Sequence, residues 1–458
     1  KRNGEGGTSR PPFFIKTYLH FLFLPLMLQI LSTSNETSTG TELVQNGNFS
    51  ELGSDLVTNG DFSAAGINLV SNPNFTDTGS ELVTDGDFSS GANWYEGTGC
   101  SISGNQGVFT SAPSGSGFTG DNLNAAICVI GKSYKVTYTI DSITSGSVGL
   151  RHPFTGTYYD NTSSFPLDVT EYVVADNTSI YIQNSGTTTA TISNVSVKEL
   201  GEDWTVTEDT GSVTFANDQV QIISDGSAAT GIIQGSILSI EKSYKVTIDV
   251  ASNTNKFKII LGGGSIEVTG TGVQTFYGVG AGTALYIYRV VGEAVDVVIN
   301  SISVQELGEG WTAYTSGTST VEYNSSGANL LIDSAANGGS NVGVYQENIF
   351  ELGKSYKIVL SMKATASFDA EVVESNLAAT ENVIGTVSLT TSFQDFTFYY
   401  VGTGTFDLFI HRLYNGGGAS QTISIQSVSV QELDPNGYWT LGTGWSIGAD
   451  KAISTVTG

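Results

Sequence analysis

The tetrapeptide Lys-Ser-Tyr-Lys occurs three times, at 132–135, 242–245 and 354–357, at intervals of about 110 residues. A second motif keeps the same spacing. Val195-Ser196-Val197-Lys198-Glu199-Leu200 recurs as Ile302-Ser303-Val304-Gln305-Glu306-Leu307 and as Val428-Ser429-Val430-Gln431-Glu432-Leu433. A tryptophan follows each copy, Trp204, Trp311 and then Trp439 with Trp445, and Trp94 opens the first period. Such a period demands an array of similar units. The units run over 81–200, 201–307 and 308–433. Residues 434–458 read as the cut-off start of a fourth, as expected of a piece of a longer chain.

Within a unit the pattern has a period of two. Tyr134, Val136, Tyr138 and Ile140 alternate with Lys135, Thr137 and Thr139, and 244–250 and 356–362 repeat the pattern. One face of such a strand is buried and the other is wet, as in an antiparallel sheet. Short alternating runs separated by Gly, Asn and Ser over about 110 residues predict an all-β chain of tandem antiparallel β-sandwich modules. The triplet Gly262-Gly263-Gly264 has no Lys-Ser/Thr after it and reads as a turn.

A shorter period precedes the modules. Asn46-Gly47-Asn48-Phe49, Asn59-Gly60-Asp61-Phe62, Asn72-Pro73-Asn74-Phe75 and Asp85-Gly86-Asp87-Phe88 are spaced 13 residues apart, each behind a Leu-Val pair. Every copy reads as a strand, a tight turn and a Phe anchor. Too short to bury a core alone, the copies over 41–80 are expected to form a stack or attachment segment, leaning on one another, a module or a partner chain. The first 40 residues hold Lys1, Arg2, Arg10 and Lys16 ahead of an apolar run, 19–31, that is too short to span a bilayer. It reads as a signal peptide or an anchor, with Ser32-Thr33-Ser34 as the cleavage region.

Charge limits the partners. The chain has 18 Lys and Arg against 44 Asp and Glu, for a net charge of −26. Without a basic stripe, nucleic acid is excluded as a partner. The three histidines, His20, His152 and His411, fall in separate segments, and no nucleophile, zinc or Walker signature is present. The chain therefore reads as non-enzymatic.

The opening Leu-Val-x-Asn-Gly-Asp-Phe-Ser, the middle Gly-Lys-Ser-Tyr-Lys-Val and the closing Ile-x-Asn-Val-Ser-Val-Lys-Glu-Leu together resemble the CenC-type carbohydrate-binding modules of families 4 and 9. The resemblance covers 81–433. It implies a galactose-binding-like jelly roll, as found in tandem in structural and tail-fibre proteins of marine phages and in bacterial surface proteins. It also implies a structural Ca²⁺ near the opening segment and last strand, with Asp85, Asp87 and Asn194 as ligand candidates. No other cofactor is expected. The family's acidic residue after Phe is Ser89 here.

Sugar rings stack their C–H faces on aromatics, and their hydroxyls pair with planar polar groups. Tyr286, Tyr288 and Arg289 in the second module align with Phe409, His411 and Arg412 in the third, where Tyr414 follows; Ile180-Tyr181-Ile182-Gln183-Asn184 is the equivalent stretch of the first. Alternation puts Tyr286 with Tyr288 on one face, and Tyr288, His411 and Gln183 outward. Tyr158 and Tyr159 are further candidates, expected in a loop. Cys100 and Cys128 either form one disulfide or stay free, Cys128 then being buried. The expected function is multivalent glycan binding at a virion or cell surface, outside the cell, with host or environmental polysaccharides as partners and without a transmembrane span. A structural spacer array and accessory modules of a secreted polysaccharide hydrolase are the alternatives. Fibre proteins are often trimers, a state that nothing in this sequence encodes.

Overall fold

The computed structural model describes residues 44–120, 126–151, 157–333, 342–377, 381–412 and 420–454. The leader over 1–40 lies outside them. Among the described residues all regular structure is strand, and every named strand pair is antiparallel. No described helix is long and apolar enough to cross a membrane.

Three hydrophobic cores form, one per 110-residue period. In module 2 the first sheet runs Ser212–Ala216, Gln219–Ser224, Val295–Leu307, Ser243–Asn253, Gly272–Val279 in spatial order. The second runs Thr205–Glu208, Thr230–Gln234, Leu285–Arg289, Phe257–Leu261, Gly264–Val268. Alternation makes the core: Tyr244, Val246, Ile248 and Val250 point inward, buried, to meet Ile232, Leu285, Ile287, Phe257 and Ile259 of the facing sheet. Module 3 repeats this topology strand for strand. In module 1 two long strands, Ser133–Arg151 and Ile180–Leu200, run through both layers, so its strands join into one bent sheet. Register shifts between Ser185 and Thr189 and between Ser193 and Ser196 mark the bends.

The 13-residue repeats do not stack on one another. Each docks on a different module, in reverse order. Thr78–Glu81 pairs with the closing strand of module 1, Ala65–Asn68 with that of module 2, and Leu52–Asp55 with that of module 3. The phenylalanines follow the same order. Phe88 stacks on Trp94, Phe75 lies against Trp204, Phe62 against Trp311 and Phe49 against Trp439, with ring centroids 4.8, 5.7, 4.9 and 4.9 Å apart. Each indole N–H then donates to the carbonyl of the repeat's Asn or Asp: Trp94 to Asp85, Trp204 to Asn72, Trp311 to Asn59, Trp439 to Asn46. We term these segments leads.

The lead turn is built the same way in each copy. The Phe N–H donates to the carbonyl three residues back, and the Asn or Asp side chain accepts the N–H five residues ahead, closing the loop. Phe49, Phe62, Phe75 and Phe88 take positive φ, between 54° and 57°. That conformation is costly for a bulky residue. Burial offsets it, since Phe62, Phe75 and Phe88 are 1% exposed and each buried ring contributes about 1.5–3 kcal/mol. A Cβ on Gly60 or Gly86 would stand 2.2 or 1.9 Å from the carbonyls of Val428 and Val195, so a side chain there forces the contact to shift; Pro73 holds this position in the module 2 lead.

The Lys-Ser-Tyr-Lys motif joins modules. Ser133 Oγ accepts the N–H of Phe215, and Ser243 Oγ that of Tyr323, each in the next module; Ser355 Oγ accepts that of Ile447. The motif tyrosines hold the preceding loop: Tyr134, Tyr244 and Tyr356 accept through their hydroxyls from Val129, Ser239 and Glu351 N–H. The first lysines pair with the Glu of the closing motif, Lys132 with Glu199, Lys242 with Glu306 and Lys354 with Glu432. Solvent screens these exposed pairs, which leaves them worth little.

Candidate functional site

The outer face of the second sheet gathers the aromatic residues. In module 1 the ladder sets Tyr95 opposite Thr119, Thr119 opposite Tyr181 and Tyr181 opposite Arg151. The next row runs Gly117, Gln183, Gly149, Tyr158. Partners directly opposite share a face, so three tyrosines, a glutamine and an arginine line one surface. Trp94, Phe118, Leu150 and Ile182, one residue along, point into the core. Tyr95 is 57% exposed and Tyr158 39%. Gln183 is fixed across the row: its Nε2 donates to the Gly115 carbonyl at 2.7 Å and its Oε1 accepts from the Tyr158 hydroxyl at 3.4 Å. Gly117 and Gly149 flank it in the ladder, half-buried and buried respectively.

Module 2 carries a narrower version. Its rows are Thr207, Gly231, Tyr288, Lys258, Glu267 and Thr205, Ile233, Tyr286, Ile260, Ser265. Tyr286 and Tyr288 share the outer face as alternation requires, their rings 5.5 Å apart and edge-on. Tyr288 leans across Gly231, where a Cβ would sit 2.2 Å from its ring, and its hydroxyl meets Thr207 Oγ1 at 3.1 Å.

In module 3 the equivalent rows are Tyr314, Gly343, His411, Glu371 and Thr312, Tyr345, Phe409, Val373. His411 stacks on Phe409 with centroids 4.6 Å apart, and its Nε2 lies 3.8 Å from Glu371 Oε2. Tyr314 and Tyr345 meet Phe409 edge-on. Phe409 and His411 are buried, so this cluster is packed where module 1 is open. The outward place expected for His411 is corrected on that point.

Other sequence candidates land elsewhere. Arg289 and Arg412 fall on the opposite face from Tyr288 and His411, since they are one residue along the strand. Both are buried, and Arg289 Nε donates to the Ala228 carbonyl. Tyr158 and Tyr159 lie in the strand Tyr158–Asp160, not in a loop, and face opposite ways. Tyr159 packs against the core, and burial with the nearby Glu171 pushes its hydroxyl pKa up. Tyr414 lies outside the described residues.

Asp85, Asp87 and Asn194 do not fit a calcium ion. Asp85 Oδ1 accepts from Ser90 N–H and Ser89 Oγ, and Oδ2 from Gly91 N–H and Ser90 Oγ. Four donors use up a carboxylate's four lone-pair positions. Asp87 caps the N–H of Ser89, and Asn194 turns its amide to Thr139 and Ser193. Among the described residues no three His, Cys, Asp or Glu side chains gather to hold a metal. Cys100 and Cys128 are free thiols rather than a bridge, both lodged in the module 1 core.

Sequence reasoning passed over Tyr95, Tyr181, Arg151, Tyr314 and Tyr345. Tyr181 was within reach, since 180–184 aligns with 285–289. Tyr95 and Arg151 needed the register of strands distant in sequence.

No family model and no curated protein sequence matches the chain. Solved structures similar to it include a family 4 carbohydrate-binding module, at 18% identity and a TM-score of 0.23, over 27% of this chain and 95% of that one. The N-terminal cellulose-binding domain of Cellulomonas fimi β-1,4-glucanase C matches at 16% identity and 0.23, over 27% and 89%. A tandem pair of family 22 modules from Paenibacillus barcinonensis matches at 11% and 0.19, over 51% and 94%.

Proposed function

We propose that the chain binds carbohydrate, without catalysing a reaction, on the outer face of the second sheet, and that module 1 carries the strongest site. One observation supports this above the rest: exposed Tyr95 and Tyr158 and half-buried Tyr181 share a sheet face with Gln183 and Arg151. Rings flat enough to stack on sugar C–H faces stand beside planar groups that pair with hydroxyls. A second tyrosine face in module 2 makes the binding multivalent, so weak single sites add up to useful avidity on a polymer. Polysaccharide at an extracellular, virion or cell surface is the partner in this reading.

The test is a glycan-array screen of the full chain, followed by calorimetry with the best ligand. Tyr181→Ala is expected to lower affinity about two- to tenfold, since one stacked ring contributes on the order of 0.5–1.5 kcal/mol, while thermal unfolding stays where it was. Absence of binding to every glycan overturns the proposal.

A second reading is favoured by the joints. The buried serine contacts and the docked leads tie each module to the next, as a stiff spacer requires. It stands if the glycan screen is blank.

A further inference from the structure

The leads of modules 2 and 3 come from far along the chain, and one set of contacts that holds them is shared with the lead of module 1. Leu56 and Leu69 donate their N–H to Val430 and Val304 carbonyls, as Leu82 does to Val197 in module 1. The buried Val and Phe of each lead are the same residues: Val57 and Phe62, Val70 and Phe75, Val83 and Phe88. Asp55 and Asn68 each accept the N–H of the closing-strand valine, as Glu81 does.

Modules 2 and 3 add contacts that read the backbone of the lead. Gln346 accepts Thr58 N–H and donates to Thr58 carbonyl, and Gln234 does the same to Ser71. Gln431 and Gln305 donate to the carbonyls of Gly53 and Gly66. Module 1, whose lead ends a few residues before its own Trp94, has Gly120 at the ladder position of Gln234 and Lys198 at that of Gln305. The glutamine clamps therefore accompany a remote lead, and they recognise main-chain groups that any Leu-Val-x-Asn-x-x-Phe segment presents.

We propose that the lead grooves of modules 2 and 3 accept leads from a second copy of this chain, giving strand-exchanged dimers. A one-for-one exchange keeps every hydrogen bond and buried ring, and its free-energy cost is that of association alone. Within one chain the register is pinned, because the fourth lead is tethered next to Trp94. Between chains no such tether applies. An empty groove would expose the module core, so a displaced lead is replaced by another.

The docked geometry supplies the test, which is independent of glycan binding. A Cβ on Gly53 would lie 3.6 Å from Glu432 Cβ, within disulfide range. Full-length Gly53→Cys and, under a second tag, Glu432→Cys chains are unfolded together, refolded at several concentrations, oxidised and run on a non-reducing gel. Mixtures of each with the unsubstituted chain give the background from Cys100 and Cys128. The Gly53→Cys/Glu432→Cys double variant reports closure within one chain. The expected result is a mixed-tag covalent dimer of two 48.1 kDa chains, increasing with concentration and suppressed by excess synthetic peptide spanning 50–64. Internal closure of the double variant with no mixed-tag dimer above background at any concentration overturns the proposal. Should the double variant not close, Gly66→Cys with Glu306→Cys, 4.0 Å apart, takes its place with the same two outcomes.

Discussion

Ser243 Oγ in module 2 accepts the backbone N–H of Tyr323 in module 3 at 2.8 Å, in a buried position. A hydroxyl at the start of an inner strand thus completes the hydrogen bonding of the edge strand of the neighbouring sandwich, and Ser133 does the same one module earlier. Ser243→Ala strands the Tyr323 amide away from water, at a cost of about 1–3 kcal/mol. Differential scanning calorimetry is expected to show a lower unfolding temperature, and hydrogen exchange at Tyr323 is expected to accelerate while that at Phe215 does not.

Removing a lead anchor should damage a module hundreds of residues away. Phe62 is buried between Trp311 and Tyr323. Phe62→Ala is expected to destabilise module 3 by about 3–5 kcal/mol. Hydrogen exchange would place the loss in the strands Gly343–Phe350 and Ser355–Ala364 and leave Ser133–Arg151 protected.

Acid should loosen the lead turn of module 1 through Asp85. Burial alone would raise the pKa of Asp85, but the Ser90 N–H and hydroxyl, the Gly91 N–H and the Ser89 hydroxyl outweigh it, and the net position lies below the ordinary 3.8. A carboxyl depressed in the folded state contributes stability above its unfolded pKa and loses it as pH falls through the folded one. The corresponding residues of the other leads, Asn46, Asn59 and Asn72, do not titrate. Between about pH 5 and about pH 2, the Ser90 and Gly91 amides are expected to lose exchange protection before those of Ala64 and Asp77. Asp85→Asn removes the difference.

The two thiols should be inert in the folded chain. Burial, with Glu96 adding, pushes Cys100 up to about 11. Burial, with Glu199 adding, takes Cys128 to about 12. Thiolate is the reactive form, so at neutral pH alkylation is expected to be slow at half-buried Cys100 and to reach Cys128 only in denaturant. Intact mass before reduction is expected to correspond to two free thiols; a mass two hydrogens lighter would contradict the packing.

The all-β fold and sheet alternation were legible because each rests on local pattern: the Lys-Ser-Tyr-Lys strand, and Tyr286 with Tyr288 two residues apart. The destination of each lead was not. All four share Val, Asn or Asp, and Phe at the contact positions, so nothing in a single copy says which tryptophan it will meet. At the candidate site, alternation placed Tyr288 outward and would equally have turned Arg289 inward, had it been followed one residue further. The meeting of Tyr95 with Tyr181 and Arg151 depends on three strands far apart in sequence, and on registers that no short motif specifies.

The reversed pairing order sets a timetable for synthesis. The ribosome makes every donor strand before the acceptors, and the earliest made waits the longest. Module 1 can be completed as soon as Leu200 has emerged, but Phe62 has no finished seat until Leu433 does, about 12 to 47 s later at ordinary translation speeds. A nascent chain therefore carries bare phenylalanines and unpaired strand edges for most of its synthesis, and folds from its middle toward both ends.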